Sequence, residues 1–263
     1  MFLILKLVHS RSLIASFYCQ DPSLNNTSIL PSLENVQPLP CNQDLGKIMF
    51  CLNRMLPPDV RVQGIQPYYD ANFHPTADAL EKTYQYTFSI GTLHDPMRHR
   101  HVWHLDGVGN SNRPWNELEA QRVCAIFKGI HDFSGFQGAP RGSDRQNTKI
   151  RNPICHMTKI ELQKEFGMDD FVIPIGGEHR CHTYTIEITG NRFLYKMVRF
   201  MVGSIMAVGM EKIKIQDIER ALATGIWEEE ARKYVQCAPP HGLMLKHVKY
   251  EEHCLNDWIT YNS

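Results

Sequence analysis

The stretch from Asn191 to Gly209, NRFLYKMVRFMVGSIMAVG, constrains this chain more than any other. Leu194, Val198, Met201, Ile205 and Val208 recur at helical spacing, which predicts one long helix over the whole stretch with a continuous apolar stripe. Phe193, Met197 and Phe200 widen that stripe. A helix apolar over most of its circumference has to be buried. Gly209 supplies a C-terminal stop. Arg192, Lys196, Arg199 and Gly203 step by three or four, so on one helix they would share a polar line. Such charges either snorkel to solvent along their aliphatic stems or need a partner, because unpaired burial is costly. Gly203 on that line would let a second backbone approach closely.

The remaining chain bounds what this helix can belong to. Its 263 residues suffice for one large domain or two ordinary ones. Apolar residues make up 43% and charged residues 21%, the composition of an ordinary globular protein. The formal net charge is zero, so an anionic partner would have to be met by a local patch. The eight cysteines include no C-x-x-C pair, which argues against a zinc ribbon or disulfide framework and for reduced thiols. No apolar run approaches the length of a membrane span.

The first residues, MFLILKLVHSRSLIASFY, read as a strand or a truncated start rather than a signal peptide, and Gln20 to Asn42 as a polar loop. A helix is expected over Asp44–Arg54 and a short strand over Asp59–Val62. Thr83 to Ile90 alternates, with Tyr84, Tyr86, Phe88 and Ile90 on one face. Asp106 to Pro114 is a Gly/Asn-rich connector and a candidate boundary. Helices are expected over Asn116–Lys128 and Ile215–Ala223, and strands over Ile154–Leu162, His182–Ile188 and Leu243–Tyr250. Interleaved helices and alternating strands predict an α+β fold with an antiparallel sheet and helices on one face. Gly-rich phosphate loops, nucleophile elbows and H-E-x-x-H patterns do not occur. Three features could carry chemistry. Lys196 and Arg199 form the first. Tyr84 is the second, against the plainer reading of a core aromatic. The third is the loop with Arg141, Arg145, Lys149 and Arg151, which is either solvated or a phosphate contact.

FLYKMVRFMVGSIMAVG resembles the MVR-x-x-VG helix of the TruA-type tRNA pseudouridine synthases. NFHPTADALEKTYQYTFSIG, LNRMLPPDVRV, HDFSGFQ and APPHGLML resemble further segments of that family, in the family's order, from roughly Val8 to Tyr250. The resemblance implies two pseudo-symmetric α+β subdomains, residues 1–105 and 106–263, with the first incomplete and a basic RNA-binding cleft above their sheets. It implies isomerisation of uridine to pseudouridine in the tRNA anticodon stem-loop, without metal or organic cofactor and without a membrane. A homodimer is expected on the same basis. By position, Arg199 would pair with the family's aspartate and Tyr84 would stack on the base. Lys196, Lys149, Arg151, Arg141 and Arg145 would contact RNA.

One departure is large. The family's G-R-T-D-x-G-V-H-A motif continues here as Leu7-Val8-His9-Ser10, and the aspartate position falls on Leu5. Leucine can serve neither as base nor as nucleophile. Two explanations are open: an incompletely begun form of a longer active enzyme, which is the expectation, or an aspartate-less relative that binds RNA without modifying it. Thr76 also stands where the family's F-H-A-R segment has arginine. The compartment is left open by the sequence, with an intracellular site expected and organelle targeting undecided.

Overall fold

A computed structural model describes residues 9–10, 40–65, 74–92, 94–109, 114–139, 152–165, 181–251 and 259–260. The described residues divide between two compact units. The larger takes in 9–10 and Leu80–Lys249, and the smaller takes in 40–79 and Tyr250 onward.

The larger unit is a seven-stranded sheet with helices. Its strands are β1 (His9–Ser10), β3 (Glu81–Gly91), β4 (Trp103–Asp106), β5 (Gly129–Asp132), β6 (Ile154–Lys164), β7 (His182–Gly190) and β8 (Leu243–Lys249). They run in the order β1-β8-β3-β7-β6-β5, and β4 adds to β3. Pairing is antiparallel except for β1 with β8 and β3 with β4. The fold is therefore α+β with a mixed, mainly antiparallel sheet. β3 lies in the middle: β7 pairs with one edge, while β8 and β4 share the other.

Alternation on β3 sets the layers. Tyr86, Phe88 and Ile90 are buried in one core with β7's Tyr184, Ile186 and Ile188. Helices α2 (Glu117–Phe127), α3 (Met197–Gly209) and α4 (Ile215–Thr224) contribute to the same core. Asn116 caps α2 by accepting from the Glu119 amide at 3.1 Å, and Gly225 ends α4 at a positive φ of 71°. The opposite face of the sheet is polar. There Glu187 pairs with Lys159 at 3.0 Å and with Lys246. These lysine hydrogen bonds outweigh partial burial and hold the Glu187 carboxyl below its ordinary pKa.

The most constraining helix is shorter than its sequence predicts. It begins at Met197, not Asn191, because Lys196 sits in the left-handed region at φ 59°. The Tyr195 carbonyl accepts from the Gly138 amide at 2.8 Å. The Leu194 carbonyl accepts from the Met197 amide in a tight turn at 3.1 Å. Residues 192–196 thus form an arm leading into α3, and Arg192 is not on the helical polar line. Its Nε donates instead to the Ile154 carbonyl at 3.2 Å. The apolar stripe itself is buried along Leu194, Val198, Met201, Ile205 and Val208.

In the smaller unit, α1 (Leu45–Met55) is capped by Asp44, whose Oδ1 accepts from the Lys47 amide at 3.0 Å. Ile48 and Met49 are its buried residues. The strand expected over Asp59–Val62 does not form. The Asn53 side chain takes both backbone groups of Val62, at 2.8 and 3.0 Å, in place of a strand partner. A two-stranded sheet, β2 (Gly64–Ile65) with β9 (Ile259–Thr260), follows it. α5 (Glu229–Arg232), in the larger unit, completes the α-helices of the described residues. No helix among them is long and apolar enough to cross a membrane.

A histidine group closes the far end of β3. His104 Nδ1 is 3.0 Å from the Ser89 hydroxyl, and the His94 ring stands 5.3 Å from that of His104. His104 Nε2 is buried with no hydrogen-bond partner among the described residues. Burial, then neighbouring His94, hold the His104 pKa below its ordinary value against the opposing pull of Asp106. The unfolded chain therefore takes up this proton first on acidification. Stability is fully present above the ordinary imidazole range and is lost as pH falls through it toward the folded value. Urea unfolding from about pH 7.5 to about pH 5.5 should show this decline, and His104→Asn should flatten it. An identical slope in the variant would exclude His104 as its source.

Candidate active site

Two strands and one helix frame the site. Tyr84 is half-buried on β3, opposite Ile188 of β7 and Leu245 of β8. The β3–β8 register shifts between Thr83 and Tyr84, so Lys246 is passed over as a bulge. The Tyr84 ring meets Phe193 edge-on, at 4.9 Å and 80°. Burial raises the Tyr84 phenol pKa. Phe193 belongs to the arm before α3, so the end of that arm sets one wall against Tyr84.

Arg199 lies in the first turn of α3 and is half-buried. Its Nε donates to the Ala238 carbonyl at 2.5 Å, and the Ala238 amide donates back to the Arg199 carbonyl at 3.1 Å. The guanidinium is fixed at one nitrogen by backbone. Among the described residues, no carboxylate stands within 4.0 Å of it. Leu5, the position of the family's aspartate, lies outside the described residues.

The irregular segment 235–239 reaches this point because Gly203 allows it. A Cβ at Gly203 would sit 1.8 Å from the Gln236 carbonyl oxygen. The close approach expected at Gly203 is therefore made by the backbone of Gln236. Cys237 follows, half-buried, beside both cations. Burial raises its thiol pKa, while Arg199 and then Lys196 pull it down. Lys196 Nζ also lies over its neighbour Tyr195, 5.3 Å from the ring centre. Lys196 and Arg199 thus share one locality although they are not on a common helix.

Gly138, at the end of the HDFSGFQG segment, packs against this arm. A Cβ there would meet Lys196 Cδ at 3.0 Å and the Tyr195 ring at 3.1 Å. Asp132 supports the segment by accepting from the Ser134 amide at 2.8 Å. Arg141, Arg145, Lys149 and Arg151 lie beyond it, outside the described residues. No group of three or more His, Cys, Asp or Glu among the described residues is arranged to hold a metal ion.

Sequence reading missed Tyr86, Phe193 and Ala238 as parts of the site. Tyr86 reads as core and is core, with none of its surface exposed. Its hydroxyl nevertheless donates to the Pro239 carbonyl at 2.8 Å. The APPHG run was visible as a motif, but not its contact with Arg199.

Residues 123–251 match the family model described as tRNA pseudouridine synthase. The chain is 29% identical over 209 residues to the tRNA pseudouridine synthase A 1 of Protochlamydia amoebophila, covering 79% of this chain and 70% of that protein. Over 204 residues it is 29% identical to the tRNA pseudouridine synthase A of Citrifermentans bemidjiense, covering 77% and 68%. A third, from Streptococcus sanguinis, is 27% identical over 214 residues, covering 81% and 74%. The chain is thus similar to tRNA pseudouridine synthases, over 123–251 by the family model and over most of its length by these relatives. The region matched by the family model takes in α3, the Ala238 turn and β8, the elements that hold Arg199.

Proposed function

We propose that this chain is a tRNA pseudouridine synthase, an isomerase converting uridine to pseudouridine in the anticodon stem-loop of tRNA. The observation that carries the reading is a guanidinium, Arg199, tied by backbone and close to Tyr86, on the same strand that bears Tyr84. Such a cation is suited to keep a carboxylate ionised. The aromatic face of Tyr84 suits a base drawn out of its stack. Lys196 is proposed as a phosphate contact, joined by Arg141, Arg145, Lys149 and Arg151. The pseudo-symmetric halves, 1–105 and 106–263, and a homodimer belong to the same proposal.

Leu5 favours a second reading: with leucine at the aspartate position, the polypeptide binds tRNA and does not turn it over. One experiment separates the two. The chain is incubated with unmodified tRNA, and binding and pseudouridine are both measured. Pseudouridine formation supports the first reading and removes the claim that Leu5 is disabling. Binding without product supports the second, and absence of binding removes both.

Within either reading, Arg199→Gln should weaken the affinity for an anticodon stem-loop by about tenfold to a hundredfold, because a charge-assisted contact is lost. Lys149→Ala with Arg151→Ala should reduce both the affinity and its dependence on salt. An unchanged salt slope would remove that loop from the site.

A further inference from the structure

We infer that Tyr86 is a positioning residue for Arg199, acting through the turn Cys237–Pro239. This rests on the proposed role of Arg199. Tyr86 is buried on the central strand, and its hydroxyl reaches out of the core to a single backbone acceptor, the Pro239 carbonyl at 2.8 Å. The next residue back, Ala238, is bonded both ways to Arg199, at 2.5 and 3.1 Å. The turn is therefore gripped from two sides: β3 holds Pro239, and α3 holds Ala238. Two glycines close the grip. Gly203 lets Gln236 lie against α3. Gly242 lets the chain leave the turn beneath Tyr86, where a Cβ would be 2.8 Å from the ring and 2.7 Å from the Thr87 carbonyl.

Burial of a phenol is costly unless the hydroxyl is bonded. Phenylalanine would fill the same core volume, so packing alone does not call for a tyrosine here. What the hydroxyl adds is a fixed position for Pro239, and with it the carbonyl that orients Arg199 Nε. Burial raises the Tyr86 phenol pKa, opposed by the nearby Arg199 charge. The hydroxyl thus stays protonated and able to donate.

The test begins with Tyr86→Phe and reads the Arg199 side chain directly. In nitrogen-15-labelled protein, hydrogen exchange at Arg199 Nε should accelerate by roughly fivefold to tenfold, the loss of one hydrogen bond's support. Backbone amides of Gln85 and Thr87 should keep their protection. Pro239→Gly loosens the turn without touching the β3 core and should give the same acceleration. It serves as the independent variant if Tyr86→Phe folds poorly. Unchanged Arg199 exchange in the folded variants overturns the inference.

A second arm ties position to use. Tyr86→Phe should weaken binding of an anticodon stem-loop, and should add nothing in an Arg199→Gln background. Additive losses would mean that Tyr86 acts elsewhere and would overturn the assignment. If Arg199→Gln alone leaves affinity unchanged, the proposed site falls and this assignment with it, whatever the exchange data show. If Arg199→Gln weakens binding and Tyr86→Phe does not, only the assignment falls.

Discussion

Gly203→Ala is expected to destabilise the protein by about 3 kcal/mol and to lower its melting temperature by roughly 6 to 12 °C. The added methyl would lie 1.8 Å from the Gln236 oxygen and 2.9 Å from its carbonyl carbon. Those are backbone atoms, so no rotamer change relieves the clash. Retreat of the 235–239 segment is opposed as well, since Ala238, two residues on, is bonded to Arg199 through both its amide and its carbonyl. Neighbours Val202 and Ser204 are buried too, so α3 has no free side to move toward. Thermal and urea unfolding would measure the effect. A loss below about 1 kcal/mol, the ordinary range of point substitutions, would show that 235–238 yields easily. Affinity for RNA should fall in the same variant, because the displaced turn carries the carbonyl that holds Arg199.

The second large effect is a contrast along one strand. Phe88→Ala should cost about 3–5 kcal/mol, the usual range for removing a buried phenyl ring. Phe88 is fully buried, stacks on Tyr184 at 5.3 Å, and meets Trp115 edge-on at 5.6 Å. Tyr84 shares its face, four residues earlier, but is half-buried and meets only Phe193 in ring contact among the described residues. Tyr84→Ala should therefore cost far less stability. It should weaken RNA binding by about 1–3 kcal/mol, the worth of one base–aromatic stack. Measuring unfolding and stem-loop affinity for both variants decides the matter. Tyr84→Ala with full affinity and a Phe88-like loss of stability would return Tyr84 to the core.

Alternation along β3 made this strand legible, since period two is imposed by the pleat itself. The stripe of α3 was legible for a similar reason, as burial follows helical period. The start of α3 was not. Nothing in YKMVR announces that Lys196 takes a left-handed conformation; the Met197 amide closes a local turn there, and the Gly138 contact that fixes the arm is tertiary. Likewise Asp59–Val62 has strand composition, yet the Asn53 side chain takes the backbone bonds of Val62 that a neighbouring strand would use. For the candidate site, motif order nominated Arg199 and Tyr84. The grip on Arg199 was hidden because Ala238 acts through its backbone, which has no signature in sequence. Tyr86 was hidden for the opposite reason: its ring satisfies the core pattern so well that its hydroxyl drew no notice.

β3 also sets the timetable of synthesis. Its two long partners, β7 and β8, are translated well after it, and β8 only at Leu243–Lys249. At ordinary rates of elongation β3 waits on the order of ten seconds between its own completion and that of β8. During that wait one edge of an aromatic-rich strand lacks its long partner, a state open to wrong pairing. The Ala238 turn arrives in the same late interval, just ahead of β8. Until then Arg199 lacks the Ala238 carbonyl that orients it, so a nascent chain can carry most of its core before this guanidinium is fixed.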